Sequence, residues 1–199
     1  MIALQGLFAA FAFFCGSLPF SVWVGKYGLQ KDIRDYGDGN PGTFNVLRAG
    51  GLTWGGLALM LDISKGAFPV GLAAQVFGWD GLALIVIAIM PVLGHAFSPF
   101  LGFKGGKAIA TTGGIWIGLA LVEAPLVFGV ALVFWYLVLT SSAWATMFTF
   151  ATALIYFMFT GKPALWFAVL ALNWLIVLYK HRHELTTLPA LKVFTRSTG

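Results

Sequence analysis

Long apolar runs alternate with short polar segments along almost the whole chain. A helix needs about 20 apolar residues to cross the hydrocarbon core of a bilayer, and the candidate runs lie near that length. They cover residues 2–23, 50–76, 81–96, 108–122, 125–139, 143–160 and 163–179. The pattern predicts an all-α polytopic membrane bundle of about seven transmembrane helices, forming a single domain over residues 1–199.

The fourth and fifth runs are the shortest of the set, but together they are too long for one helix. Glu123, Ala124 and Pro125 separate them, and a proline inside a helix removes a backbone hydrogen bond and clashes with the preceding turn. We therefore expect a tight external turn at these residues, with one span on each side.

Basic residues are concentrated in alternate connections, which indicates the orientation. Lys and Arg near helix ends favour the cytoplasmic side. They occur in the first connection, in the third and after the last span, for example at Lys31, Lys104 and Lys180. Seven spans with the N-terminus outside place all three stretches, and the C-terminus, in the cytoplasm.

Composition supports this class and excludes several others. The 199 residues are 59% hydrophobic and 10% charged, with a mean hydropathy of +0.89, whereas soluble domains carry about 25% charged residues. The net charge of +5 is explained by its placement, so no nucleic-acid partner is predicted. The single cysteine, Cys15, allows neither an intrachain disulfide nor a Cys-based zinc site. We expect no metal and no cofactor.

The first connection, residues 34–48, is rich in glycine and in polar side chains. Glycines expose backbone amides and tolerate positive φ, Asn donates and accepts hydrogen bonds, and Arg offers a planar fork that suits phosphate. A connecting loop built from turn-forming residues is the alternative. The candidate substrate-binding residues here are Arg34, Gly39, Asn40, Gly42, Thr43 and Arg48, with Asn45 as a candidate catalytic residue.

The third connection combines glycine with lysine and leads directly into the fourth span, which we expect to begin at Ala108. Amides at a helix N-terminus lack intrahelical acceptors and favour anions. The arrangement is not a Walker A motif, so nucleotide hydrolysis is not indicated. Positive-inside anchoring explains the lysines but not the paired glycines. The candidate substrate-binding residues are His95, Lys104, Gly105, Gly106 and Lys107.

Two further positions are candidates for catalysis. His181 follows the last span and Ser142 lies between the fifth and sixth, both on the predicted cytoplasmic side. Asp62 and Lys65 lie three residues apart within the second span. Ionisable groups at that depth are functional candidates, and a structural ion pair is an equal alternative.

These segments resemble, in order and over nearly the whole chain, the PlsY family of bacterial membrane glycerol-3-phosphate acyltransferases. The resemblance runs from Gly16–Phe20 through Arg34–Arg48 and Asp62–Gly66 to residues 94–111, and ends at Lys180–Arg182. It is most specific in the stretch from Gly94 to Thr111. Two departures stand out. Asp38 replaces the serine of the family's Gly-Ser-Gly-Asn segment, and His183 and Glu184 replace Glu-Asn in the last motif.

The resemblance implies the reaction. A fatty acyl group passes from acyl phosphate to the 1-hydroxyl of glycerol 3-phosphate, giving lysophosphatidic acid and phosphate. The implied partners are these two substrates and membrane lipids, with no obligate protein partner, and the implied location is the bacterial inner membrane. The alternative is a small transporter of phosphate or a phosphate ester, for which ionisable residues in the middle of a span, such as Asp62 and Lys65, are suitable.

Overall fold

The computed structural model describes residues 2–192, and regular secondary structure in that range is helical. The α-helices are α1 Ile2–Ser17, α2 Phe20–Trp23, α3 Thr43–Gly71, α4 Gly81–Ala96, α5 Ile109–Ala120, α6 Glu123–Val138, α7 Ser142–Phe159 and α8 Ala164–His181. Wider π-helical turns continue α2 through Val24–Leu29 and α3 through Leu72–Val76. The predicted all-α class is therefore confirmed for the described residues.

Within residues 2–192, five helical stretches are long and apolar enough to cross a membrane. They are Ile2–Leu29, Thr43–Val76, Gly81–Leu101, Ser142–Phe159 and Ala164–His181. The shorter apolar helices α5 and α6, with 12 and 16 residues, coincide with the fourth and fifth predicted spans. Large apolar side chains such as Leu52 and Phe159 remain exposed, as expected for surfaces that face lipid.

The first helical stretch is interrupted at Leu18 and Pro19 and extends beyond the predicted end at Trp23, as far as Leu29. Proline has no amide hydrogen to donate, so the helix breaks in front of it. The break leaves the carbonyl oxygen of Leu18 accessible to other donors, and Lys65 uses it. Hydropathy alone does not show this interruption.

The first connection is shorter than predicted. We expected a loop through Arg48 and a helix from Gly50, but α3 begins at Thr43, directly after the extended residue Gly42. Gly51 interrupts α3 with φ 76° and ψ −171°, a conformation that glycine adopts without steric cost. Asn45 and Arg48 therefore lie on a helical turn, which fixes their side chains relative to the loop before them.

The turn between α5 and α6 also differs from the prediction. It lies at Leu121 and Val122, and Glu123 to Pro125 form the first turn of α6. Proline is tolerated in the first turn because the amides there have no helical acceptor. The helix α5 begins one residue later than expected, since Ala108 has a left-handed φ of 62°.

The chain divides into two compact units, one ending at Leu119 and the other beginning at Ala120. In the first unit, small residues allow helices to approach closely. A β-carbon at Gly94 of α4 would lie 2.8 Å from the amide nitrogen of Ser17 in α1. A β-carbon at Gly118 of α5 would lie 2.7 Å from the amide nitrogen of Gly71 in α3. These contacts hold α1 to α4 and α3 to α5.

The second unit contains α6, α7, α8 and the segment after them. Aromatic side chains join its helices: Phe128 meets Phe150 edge-on, and Phe150 stacks on Trp174 with ring centroids 5.7 Å apart. Beyond α8 the chain returns to the end of α6, where the amide of Thr140 donates to the carbonyl oxygen of Ala190 at 2.9 Å.

Candidate active site

Residues 36–42, here called the glycine loop, place Asp38 between two glycines in the left-handed region. Gly37 and Gly39 have φ values of 59° and 70°, which favour glycine over other residues. Space also requires glycine at position 37, because a β-carbon there would lie 2.5 Å from Oδ1 of Asn45 and 2.9 Å from Cζ of Arg48. The loop therefore packs directly on the first turns of α3.

The side chain of Asn45 connects several residues of this site by hydrogen bonds. Its side chain is 1% exposed, and its Nδ2 donates to the carbonyl oxygen of Asn40 at 2.9 Å and to Oδ1 of Asp38 at 3.1 Å. Its Oδ1 accepts from Nη1 of Arg48 at 2.8 Å. One buried amide group thus fixes Asp38, Asn40 and Arg48 relative to one another.

Residues 102–108, here called the lysine loop, meet the glycine loop through an ion pair. Nζ of Lys107 lies 2.7 Å from Oδ2 of Asp38, a residue 69 positions earlier in the chain. Partial burial disfavours the charged carboxylate of Asp38. The hydrogen bond and charge of Lys107 outweigh that effect, so the pKa of Asp38 lies below its usual value. The two connections predicted to bind phosphate are therefore neighbours.

The glycines of the lysine loop have a packing role. A β-carbon at Gly106 would overlap Nε2 of His95, and one at Gly105 would overlap the carbonyl oxygen of His95. The amide of Gly106 donates to that same carbonyl at 3.1 Å. Gly105 and Gly106 therefore allow the loop to lie against the end of α4.

Several backbone amides that we expected to face a phosphate already have acceptors in the chain. The amides of Gly39, Gly42 and Lys104 donate to the carbonyl oxygens of Tyr36, Asn40 and Leu101, at 3.1, 2.8 and 3.1 Å. The expectation that these amides are exposed is wrong, because the tight turns satisfy them internally. The polar side chains are the stronger candidates for binding an anion.

A buried polar cluster lies beneath the two loops. Nζ of Lys65 lies 2.7 Å from Oδ1 of Asp62, and their side chains are 2% and 1% exposed. Ser21 donates to Oδ2 of Asp62 at 2.6 Å, and Lys65 donates to the carbonyl oxygen of Leu18 at 3.0 Å. Thr43 donates to Oδ2 of Asp62 at 3.4 Å. The cluster therefore joins the break after α1 to the start of α3.

A cavity of about 10 Å³ lies in this cluster, which is room for about one water molecule. Its lining brings several of the predicted segments together: Ser17, Leu18, Pro19, Pro41, Asp62, Lys65, His95, Ser98, Leu101 and Gly106. Sequence reasoning singled out Asp62 and Lys65 but missed Ser21 and Ser98. The signal for Ser21 was its position two residues after Pro19 in an otherwise apolar run.

Comparison with known proteins agrees with this arrangement. The family profile for glycerol-3-phosphate acyltransferase matches residues 6–190. Glycerol-3-phosphate acyltransferase 1 of Thermotoga maritima is 41% identical over 190 residues, which cover 87% of this chain and 92% of that protein. The chain belongs to the glycerol-3-phosphate acyltransferase family. The predicted family and the predicted class of enzyme, an acyltransferase acting on glycerol 3-phosphate, are confirmed.

Crystal structures of PlsY, an integral membrane member of this family, have the same fold. Its glycerol 3-phosphate form has a TM-score of 0.83 and 28% identity, covering 92% of this chain and 90% of that one. Its lysophosphatidic acid form has a TM-score of 0.80 with the same identity and coverage. With the same fold and several helices that are long and apolar enough to cross a membrane, the present chain is an integral membrane protein too.

The remaining predicted site residues of the acyltransferase are less closely connected in the structure. Arg34 binds Asp32, with Nη2 and Oδ2 2.6 Å apart, and these hydrogen bonds lower the pKa of Asp32 to about 2. The side chain of Lys104 is exposed and makes no hydrogen bond with the described part of the chain. Both residues stay predicted substrate-binding groups.

His181 and Ser142 belong to the second unit. His181 is buried at the end of α8, with Nδ1 2.9 Å from the carbonyl oxygen of Val177. A carbonyl oxygen can only accept, so Nδ1 carries a proton and donates this hydrogen bond. Ser142 is the exposed first residue of α7, rather than a turn residue, and follows the cap Ser141. Their catalytic roles stay predictions.

Proposed function

We propose that this enzyme transfers a fatty acyl group from acyl phosphate to the 1-hydroxyl of glycerol 3-phosphate. The products are lysophosphatidic acid and inorganic phosphate. The observation that carries the proposal is the contact of the glycine loop with the lysine loop through Asp38 and Lys107. Both substrates carry phosphate, and this contact gathers cationic and amide donors from two separate connections. The two ligand forms of PlsY support the choice of acceptor and product.

We assign one phosphate group to each loop. Glycerol 3-phosphate binds at the lysine loop, where Lys104 and Lys107 supply ammonium donors. The acyl phosphate binds at the glycine loop, where Asn40, Asn45 and Arg48 supply amide and guanidinium donors. Charge-assisted hydrogen bonds of this kind are about twice as strong as neutral ones. The acyl chain lies between helices and is open to the lipid.

The transfer is direct. The 1-hydroxyl oxygen attacks the acyl carbonyl carbon, the bond from that carbon to the phosphate oxygen breaks, and phosphate leaves with the electron pair. Asn40 or Asn45 stabilises the oxyanion, a contribution that is worth about 10²–10³ in kcat for one donor. The hydroxyl proton passes to an oxygen of the acyl phosphate itself, with His181 or His95 as the alternative base.

The membrane arrangement follows the charge pattern. We propose seven spans, with α5 and α6 as the two short ones, in a single membrane domain of the inner membrane. The N-terminus lies outside, and the active site and the C-terminus lie on the cytoplasmic side. The basic residues of the two loops support this orientation. Accessibility of single cysteines in the glycine loop and the lysine loop to an impermeant thiol reagent tests it.

The deciding experiment uses the purified protein in lipid nanodiscs with labelled glycerol 3-phosphate. Palmitoyl phosphate is expected to give labelled lysophosphatidic acid, whereas palmitoyl-CoA at the same concentration is expected to give none. Product formed from palmitoyl-CoA but not from palmitoyl phosphate would contradict the proposed donor. Uptake of labelled glycerol 3-phosphate into liposomes without any donor would favour the transporter alternative.

The pocket assignment has its own test. Lys104→Ala is expected to raise the KM for glycerol 3-phosphate more than the KM for acyl phosphate, because the removed ammonium belongs to the acceptor pocket. The opposite order would mean that acyl phosphate binds at the lysine loop and glycerol 3-phosphate at the glycine loop, with the same proposed reaction.

A further inference from the structure

Asp38 is a negative charge placed among the groups that we assign to phosphate binding. Its Oδ2 accepts from Nζ of Lys107, and its Oδ1 accepts from Nδ2 of Asn45 and from the amide of Asn40, at 2.7, 3.1 and 3.2 Å. Both carboxylate oxygens are therefore bonded to donors that a phosphate oxygen would use. A carboxylate held by an ammonium group and two N–H groups presents the same pattern of acceptors as part of a phosphate.

We propose that Asp38 competes with substrate phosphate for Lys107 and Asn45, and that it thereby sets how tightly this enzyme binds its phosphate substrates. The proposal rests on the proposed function, since it takes the two loops as the substrate site. The resemblance noted from the sequence gives the position a serine in related chains, and a serine hydroxyl would carry no charge.

The surroundings of Asp38 allow it to withdraw when a phosphate binds. Its side chain is 44% exposed, whereas that of Lys107 is 16% exposed. The lowered pKa of Asp38 means that its carboxylate is charged at neutral pH. A dianionic phosphate therefore meets a negative charge that must move or be overcome.

The test compares Asp38→Asn with Asp35→Asn in the full-length protein in nanodiscs. Asp35 is an exposed carboxylate at the end of the short helical turn Ile33–Asp35, so its substitution removes the same charge from the same connection without touching Lys107. Asp38→Asn is expected to lower the KM for glycerol 3-phosphate about two- to fivefold relative to Asp35→Asn, which corresponds to the usual strength of an exposed ion pair.

A binding measurement separates this inference from the reaction. Calorimetric titration with inorganic phosphate is expected to give tighter binding for Asp38→Asn and Asp38→Ser than for the native protein and Asp35→Asn. An unchanged or weaker affinity, or a higher KM, would overturn the inference and make Asp38 a group that only positions Lys107. Absence of acyl transfer in the native protein would instead contradict the proposed function, and the phosphate titration would still test the competition.

Discussion

Two ion pairs of equal length occupy very different surroundings in this chain. The charged atoms are 2.7 Å apart in both Asp62–Lys65 and Asp38–Lys107. The first pair is almost fully buried, with side chains 1% and 2% exposed, whereas the side chains of the second are 44% and 16% exposed. Distance alone therefore does not tell what an ion pair contributes.

Burial decides the role of each pair. Removing one partner of a buried pair leaves a charge without compensation, which is strongly destabilising. An exposed pair contributes about 0–1 kcal/mol, so its members can exchange partners at small cost. The Asp62–Lys65 pair is suited to holding α3 against the break after α1, and Asp38–Lys107 is suited to a site where a substrate arrives.

The largest effect is expected from breaking the buried pair. Lys65→Met leaves the carboxylate of Asp62 buried without its cation, and should lower the free energy of unfolding by about 3–5 kcal/mol. Thermal unfolding in detergent measures the change. Replacing both residues, as Asp62→Leu with Lys65→Met, should recover much of the loss because no unpaired charge remains. Equal losses for the single and the double variant would contradict this account of the buried pair.

A smaller effect is expected from the hydroxyl that supports Asp62. Ser21→Ala removes a hydrogen bond to a buried carboxylate, a contact worth about 1.5–3 kcal/mol. Ser64→Ala is the matched control, since Ser64 is exposed on the same helix as Asp62 and its hydroxyl donates to the carbonyl oxygen of Leu61 rather than to a carboxylate. Denaturation under the same conditions should show a clearly lower free energy of unfolding for Ser21→Ala than for Ser64→Ala. Equal stability of the two variants would contradict the role given to Ser21.

The exposed pair should matter for activity more than for stability. Lys107→Met is expected to lower stability by no more than about 1 kcal/mol, but to reduce kcat/KM about 10- to 100-fold through loss of a charged hydrogen bond to phosphate. A loss of stability as large as that of Lys65→Met would show that the two pairs do not differ as proposed. Unfolding and initial rates on the same preparation decide between these outcomes.

The smallest effect concerns the surface pair Asp32–Arg34 and depends on pH. The pKa of Asp32 is lowered to about 2 by the hydrogen bonds of Arg34, so the stabilisation is present above the unfolded pKa of about 3.9. It is lost as pH falls through the folded value. Arg34→Ala should therefore lower stability slightly above pH 4, by less than about 1 kcal/mol because the pair is exposed. The free energies of unfolding of the native protein and of Arg34→Ala should become equal near pH 2. A difference between them that grows towards low pH would contradict this role of Arg34.

The sequence predicted the helices better than their interruptions. Hydropathy located every long apolar helix because lipid exposure requires a continuous apolar surface. It could not locate the break at Gly51 or the start of α3 at Thr43, since both depend on one backbone conformation at a glycine and on packing of the loop against the helix. Hydropathy sums over a window and is insensitive to such single positions.

For the candidate site, the polar side chains were predictable but their partners were not. Asn40, Asn45 and Lys107 were visible in the sequence as polar residues in short connections of an apolar chain. The contact of Lys107 with Asp38 was not, because it joins residues 69 positions apart. The expectation for exposed amides at Gly39 and Lys104 was wrong, since tight turns provide carbonyl acceptors that no composition argument reveals.

The central claim is that the glycine loop and the lysine loop, which meet where Lys107 contacts Asp38, act as one substrate site. A double-mutant cycle on kcat/KM with Asn45→Ala, Lys107→Met and their combination tests it most directly. Because both residues contact the same carboxylate and serve the same transfer, the double variant should lose clearly less activity than the product of the two single losses, with a coupling of about 0.5–3 kcal/mol. Losses that multiply without coupling would mean that the loops act independently, and would contradict the account.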